Sequence, residues 1–160
     1  MPRVALRVTA MHEAIGQTIL EVLDGHRIAS IATLRPDGWP QATTVGYVNE
    51  GLSIYFLCGL DSQKVRNLAR DDRVSLTVND DPGDVTQIVG LSMAGRAHPV
   101  EDRAEAGRIL GLTPLKYPDS PPLPMPMPTP DQVRIFCVTP SVISVLDYSK
   151  GFGHTDLVAA

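Results

Sequence analysis

Basic residues are in deficit: the 160-residue chain has 14 lysines and arginines against 18 aspartates and glutamates, a net charge of −4. No basic arm or aromatic–basic stripe offsets this, which excludes a general nucleic-acid binder. Aromatic side chains are only 5% of the residues, too few for a site built on stacked rings. There are two cysteines, Cys58 and Cys137, each inside an apolar run that reads as a strand. Far apart and few, they read as free, buried thiols in a reducing compartment. No CxxC and no clustered histidines mark a metal site. No apolar run approaches the length that crosses a membrane. The opening "MPRVALRVTAMHEAIG" lacks the apolar core and small-residue cleavage site of a signal peptide. These absences leave a soluble, cytoplasmic chain, 43% apolar and 20% charged, read as one domain over residues 1–160.

What is present is a chain of short elements. Residues 9–24 place Met11, Ile15, Ile19, Val22 and Leu23 on one helical face, with Thr9 as cap and Gly25 as stop. "HRIASIATLR" alternates as a strand, and "RPDGWP" turns it, Pro36 presetting one dihedral and Gly38 relaxing the next. "QATTVGYV" and "LSIYFLCG" follow as strands joined by "NEG", an antiparallel meander because the connections are too short for crossovers. A short helix from Asp61 to Asp71 leads into "RVSLTVN", a fourth strand. Residues 85–100 form a long fifth strand with bends expected at Gly90 and Gly95. "EDRAEAGRILGL" is a helix, and residues 132–148 a sixth strand broken or bent at Pro140. The expected fold is therefore mainly β, six strands in a small closed or partly closed barrel with short flanking helices.

Two segments stand apart. Residues 114–130 carry proline at eight of seventeen positions, which excludes helix and central strand. They read as an extended lid or strap, or as a proline-rich ligand for another protein. The tail "DYSKGFGHTD" has two glycines around Phe152, flanked by Lys150 and His154, and reads either as a mobile strap over residues 149–160 or as a frayed terminus.

Lys64 poses a question. With Asp61 or Ser62 as N-cap it stands in the first turn of its helix, where a cation is unfavourable by about 0.3–1 kcal/mol. Either Asp61 or solvent screens it, or an anion such as a phosphate sits among Ser62, Lys64 and the helical N–H groups.

Three stretches together resemble the pyridoxamine 5′-phosphate oxidase-like, flavin-binding split-barrel family. They are "ASIATLRPDGWPQATTVGYV", "GLSIYFLCGLDSQKVRNLARDDRVSLTV" and "MAGRAHPVED", spanning roughly residues 26–110. The resemblance implies a six-stranded antiparallel split β-barrel of Greek-key type that dimerises and holds FMN in a groove between two subunits. It implies that Ser62, Gln63 and Lys64 face the flavin phosphate, with Gln63 standing where the family often has arginine and Arg66 or a partner arginine compensating. Ala42, Thr43, Thr44, Val45, Gly46 and Tyr47 align with the segment whose main chain borders the isoalloxazine ring. Leu57 and Cys58 line the same groove, Cys58 as wall rather than nucleophile. Gln87, on the fifth strand, reaches in from the other subunit, and His154 joins from the tail. Trp39 reads as packing or dimer surface.

The implied function is an FMN-dependent oxidoreductase with a small-molecule substrate or electron donor and no assigned catalytic residue, since the flavin carries the redox chemistry. The Arg-x-His element of pyridoxamine phosphate oxidation is missing near the C-terminus. The alternatives are a deazaflavin-dependent reductase, which needs more basic groove residues, a haem binder with His154, His98 or His26 as ligand, and a non-enzymatic flavin-binding homodimer.

Overall fold

The structure, a computed structural model, describes residues 2–121 and 126–160, with side chains described from His12 onward. Helix α1 (Pro2–Gly25) ends at the expected glycine but begins seven residues before Thr9. Proline is well suited to a first helical position, and the Ala, Leu and Arg after it are strong helix formers. Thr9 is therefore an interior residue and not a cap. Ile15, Ile19, Val22 and Leu23 are buried as their spacing predicts; the side chain of Met11 lies outside the described residues.

The strands are β1 (Ile28–Leu34), β2 (Pro40–Glu50), β3 (Ser53–Gly59), β4 (Arg73–Asn79), β5 (Val89–Pro99), β6 (Val133–Asp147) and β7 (Thr155–Ala159). They pair antiparallel in the order β3-β2-β1-β4-β5-β6-β7, and β3 pairs again with β6. That last pairing closes β1 to β6 into the expected six-stranded barrel. The meander β1-β2-β3 with β4 returning beside β1 is a Greek key. Gly38 (φ 86°) and Gly51 (φ 56°) make the two hairpin turns of the meander, conformations that cost glycine nothing. Alternating residues of every barrel strand fill the interior, where Ile31, Val45, Tyr47, Phe56, Leu76, Val78, Met93, Val138 and Ile143 meet the apolar face of α1.

A seventh strand is the first departure. The tail is not a loose strap: Thr155–Ala159 pairs with Leu146–Val142 of β6, and Val158 packs against the barrel core. Gly151 and Gly153 sit in the turn that reverses the chain, with Phe152 at its tip, 90% exposed and tilted against Tyr148. Truncation at Ser149 thus removes a core-packed strand.

Helix α3 (Arg103–Lys116) is the second. It runs four residues past Leu112 and takes Pro114 into its last turn, correcting the exclusion of helix from residue 114 onward. Proline there forfeits the bond of its missing N–H and crowds the Leu110 carbonyl, but the turn is still closed by Tyr117 N–H donating to Thr113 O. Ala106, Ile109 and Leu110 hold the helix against Val48, Tyr55 and Ile135 on the outer face of β2, β3 and β6. Residues 122–125 of the proline-rich segment lie outside the described residues. Among the described residues no helix is long and apolar enough to cross a membrane.

β6 bends at the expected place without breaking. Gly95 opposes Pro140 while Ala94 opposes Val142, so Ser141 is an extra residue bulged out of the β5–β6 pairing. Gly90, in contrast, keeps regular register. A Cβ on Gly95 would stand 2.9 Å from Pro140 Cα and closer still to the Thr139 carbonyl oxygen, both backbone atoms that cannot swing aside. Gly95→Ala is therefore expected to destabilise the fold by about 1–3 kcal/mol, as overpacking does. Urea denaturation checks this; an unchanged midpoint would mean the bulge adjusts freely.

Candidate functional site

The barrel is split because β3 is short. Its pairing with β2 covers Tyr47–Glu50 only, whereas β2 pairs with β1 from Pro40 to Gly46. Tyr47 N–H donates to Arg27 O and Arg35 N–H to Trp39 O, which sets the parity of the β1–β2 ladder. The odd residues of β2 face β1 through their backbones. Ala42 and Thr44 turn their N–H and C=O groups toward the other edge, where no strand of the described residues pairs with them, and Gly46 stands where the pairing with β3 begins.

The side chains of the same segment split between two faces. Val45 and Tyr47 are buried in the barrel, with Tyr47 Oη donating to Leu23 O at 2.7 Å. Their side chains are core; only their main chain is available at the edge. Ala42, Thr44 and Gly46 lie on the exposed outer face. Thr43 points the other way, to Lys64.

Helix α2 (Gln63–Leu68) is shorter than the predicted 61–71 span, and Ser62 is its cap, accepting from Val65 N–H. Lys64 Nζ donates to Thr43 Oγ1 at 2.8 Å. Among the described residues it has no carboxylate in salt-bridge reach, Asp61 included. Gln63 is held twice: its Nε2 donates to Asn67 Oδ1 at 2.8 Å and its Oε1 accepts from Arg66 Nη2 at 2.9 Å. Arg66 also donates to Asp61 O at 2.6 Å. Asn67 is fully buried, and its Nδ2 donates to Thr33 Oγ1 and Gln41 Oε1. A buried amide with its bonds made fixes geometry firmly. Sequence reading missed Asn67 and Gln41, since an asparagine in "KVRNLAR" carries no local sign of burial. Cys58 lies beside this cluster; burial pushes its thiol pKa up, with Lys64 and Ser62 pulling it back only in part. That suits a wall.

On the outer face, Gly46 and Leu57 line a cavity of about 720 Å³ with Ile28, Val48, Thr113 and Tyr117. A Cβ on Gly46 would meet Tyr117 Oη at 2.8 Å, so the neighbour that Gly46 admits is Tyr117. That hydroxyl donates to Arg27 O. Beside it, Lys116 Nζ donates to Leu23 O at 2.5 Å, to Asp24 O at 3.1 Å and to Asn49 Oδ1 at 2.9 Å.

Gln87 and His154 stand elsewhere. Gln87 lies in a 3-10 turn (Val85–Gln87) before β5, not on the strand, because Asp84 caps that turn by accepting from Thr86 N–H. Its neighbour Ile88 accepts from Tyr148 N–H, which ties this turn to the tail. His154 Nε2 is 3.1 Å from Asp156 Oδ2, and the Lys150 ammonium holds Asp156 below the usual carboxylate range. The described bonds of this corner join it to β5, β6 and β7, and none of them reaches Lys64 or β2. Trp39, 71% exposed, is surface and not packing. Among the described residues no cluster of metal-ligating side chains occurs.

A family model for pyridoxamine 5′-phosphate oxidase matches residues 15–143, most of the barrel and all of the Lys64 cluster. The chain belongs to this family. Several solved structures of similar fold are known. A conserved hypothetical protein of Mycobacterium tuberculosis is 24% identical with a TM-score of 0.70, covering 89% of each chain. A Listeria innocua protein assigned as a pyridoxamine 5′-phosphate oxidase is 19% identical with a TM-score of 0.67, covering 83% of this chain and 98% of its own. A haem-binding protein of Mycobacterium smegmatis is 20% identical with a TM-score of 0.65, covering 87% of this chain and 57% of its own. At these identities the likeness is one of fold. No curated protein matches the chain.

The buried amide of Asn67 can be tested alone. Asn67→Ala strands Thr33 and Gln41 and is expected to cost about 1–3 kcal/mol of stability, the penalty for unsatisfied buried groups. Lys64→Met, which frees only the part-buried Thr43 hydroxyl, is expected to change stability by about 0.5 kcal/mol or less. Thermal unfolding of the two variants checks the contrast; equal losses would deny Asn67 its structural role.

Proposed function

We propose that the chain is an FMN-dependent oxidoreductase that works as a homodimer, with Lys64 and Ser62 receiving the flavin phosphate. The observation that carries this reading is Lys64: an ammonium held by a neutral hydroxyl, without a carboxylate, beside an unpaired strand edge. A phosphate supplies the missing charge. The edge itself fits the rest of the group. Ala42 and Thr44 offer alternating backbone donors and acceptors, the chemistry that the pyrimidine rim of a flavin requires. When bound, the flavin would supply hydride transfer at its N5; the chain's own part is to orient the ring, keep one face dry and hold the phosphate.

Other cofactors fit less well. The longer phosphate tail of a deazaflavin calls for further cations, and the neighbouring Arg66 is committed to Asp61 O and Gln63. For haem, the outward ring nitrogens face carboxylates: His26 Nε2 lies 3.8 Å from Asp80 Oδ2 and His154 Nε2 3.1 Å from Asp156 Oδ2.

The second copy is supported by the outer face of the sheet. Cross-strand register aligns Thr44, Ser30, Thr77, Ser92 and Ser144 in one row, and Ala42, Ala32, Ser75, Ala94 and Val142 in the next. No charged side chain interrupts these ten positions, so a flat partner can approach closely. Such a partner covers the flavin face that one chain leaves open.

Two measurements test the reading. Lys64→Ala is expected to weaken FMN about ten- to a hundredfold and riboflavin little, since charge-assisted hydrogen bonds contribute roughly 1.5–3 kcal/mol and only FMN bears the phosphate. Equal weakening of both would make Lys64 structural. Sedimentation of the FMN-loaded protein at micromolar concentration is expected to give twice the mass of one chain, and flavin bound to a monomer would refute the shared site.

A further inference from the structure

We propose that Trp39 fastens the two copies of the dimer: the indole of each copy seats in an outer-face cavity of the other, beside the β5–β6 bulge. This rests on the homodimer reading above, to which it adds the anchor and its socket.

The anchor stands ready. Trp39 is the only tryptophan of the chain, and it is 71% exposed. Its backbone is held on both sides, the carbonyl accepting from Arg35 N–H at 2.9 Å and the amide donating to Asp37 Oδ1 at 3.2 Å. Arg35 and Asp37 close the hairpin tip with an ion pair at 2.8 Å. A large apolar ring is thus held out into solvent on an ordered turn, so little backbone freedom is lost when it is buried. Tryptophan is among the residues that most often dominate an interface.

The socket is a cavity of about 710 Å³ on the outer face of the sheet. The extra residue Ser141 bends β6 there. Gly95, Thr139, Pro140 and Ser141 line this end, with Arg96, the cross-strand neighbour of Thr139, beside them. Arg96 donates to Asp72 Oδ1. That carboxylate offsets the guanidinium charge and steadies its plane, so the cavity calls for no anion. A flat guanidinium beside a proline ring suits an aromatic partner, and tryptophan best. Burying one indole removes roughly 150–250 Å² from water.

Symmetry brings anchor and socket together. Across the outer face the strands run β2-β1-β4-β5-β6-β7, so the midline falls between β4 and β5. A second copy laid face to face about a two-fold axis along that midline exchanges β2 with β7 and β1 with β6. Every cross-strand row keeps its level, within the roughly 30° by which aligned sheets cross. Pro40 pairs with Leu34, two residues along from the row of Ala42, at the level where Arg73 pairs with Arg96 and Arg96 with Thr139. The partner's Trp39, next to Pro40, therefore arrives at the far end of this same row, where the socket lies. The contact forms twice, as an isologous interface requires. The same axis lays β7 of one copy over the open edge of β2 in the other, the edge proposed to border the flavin.

The chain's tryptophan fluorescence is that of Trp39 alone, so the full chain needs no label. Sedimentation and acrylamide quenching are followed through one dilution series, with and without FMN. As dimer forms, Trp39 emission is expected to move to shorter wavelength and acrylamide quenching to fall. Trp39→Ala is expected to weaken the dimer about thirtyfold or more, as loss of an interface hot spot does, and Trp39→Phe much less. Thr139→Tyr, at an exposed strand position, fills the socket and is expected to weaken the dimer as well. A dimer whose Trp39 stays as open to acrylamide as in the monomer overturns the proposal and leaves the homodimer reading standing. Loss of the dimer in Thr139→Tyr but not in Trp39→Ala gives the socket to another group, and overturns it too. A chain that is monomeric at every concentration, with or without FMN, overturns both.

Discussion

Seven residues of β3 stand between eleven of β2 and fifteen of β6, and that mismatch of lengths governs the rest. A strand this short closes the barrel over only part of each neighbour. It leaves the first half of β2 without a partner on one edge and the second half of β6 without one on the other. The two leftovers meet different fates. β6 receives β7 and is satisfied within the chain. β2 receives nothing from the described residues, and the N–H and C=O groups of its first half stay open on that edge.

Around that open edge the side chains divide by parity. Inward, Thr43 reaches Lys64, and behind them Asn67 fastens Gln41, Thr33 and Gln63 into a network with its donors used. Outward, Gly46 makes room for Tyr117 and the cavity under α3. The side that carries Lys64 and the side that opens on the cavity thus lie on opposite faces of a single strand.

Much of this was legible in the sequence where local chemistry decides structure. Pro36 with Gly38, and Gly51, mark the hairpins; Ser62 marks a helix start; Lys64 marks an electrostatic oddity; and the order of these pieces carries the family resemblance. What stayed hidden depends on contacts distant in sequence. Asn67 looks solvated until the barrel buries it. Pro114 looks like a helix breaker until Ile109 and Leu110 anchor the turn before it. "TDLVA" looks like a frayed end until β6 offers an unpaired edge. For Ala42–Tyr47 the resemblance concerns the main chain, and what strand alternation adds is that the side chains of Val45 and Tyr47 go into the core.

Lys116 has a consequence of another kind. Its ammonium satisfies two terminal carbonyls of α1 from a position 93 residues away from Leu23, with the ring of Tyr47 beneath it at 4.9 Å. The last turn of α3 therefore cannot open without uncapping α1. In the language of amide exchange, the ends of these two helices form a single cooperative opening unit, and slowed exchange at Leu23 and Asp24 would report on events at Tyr117 with nothing binding near α1 itself.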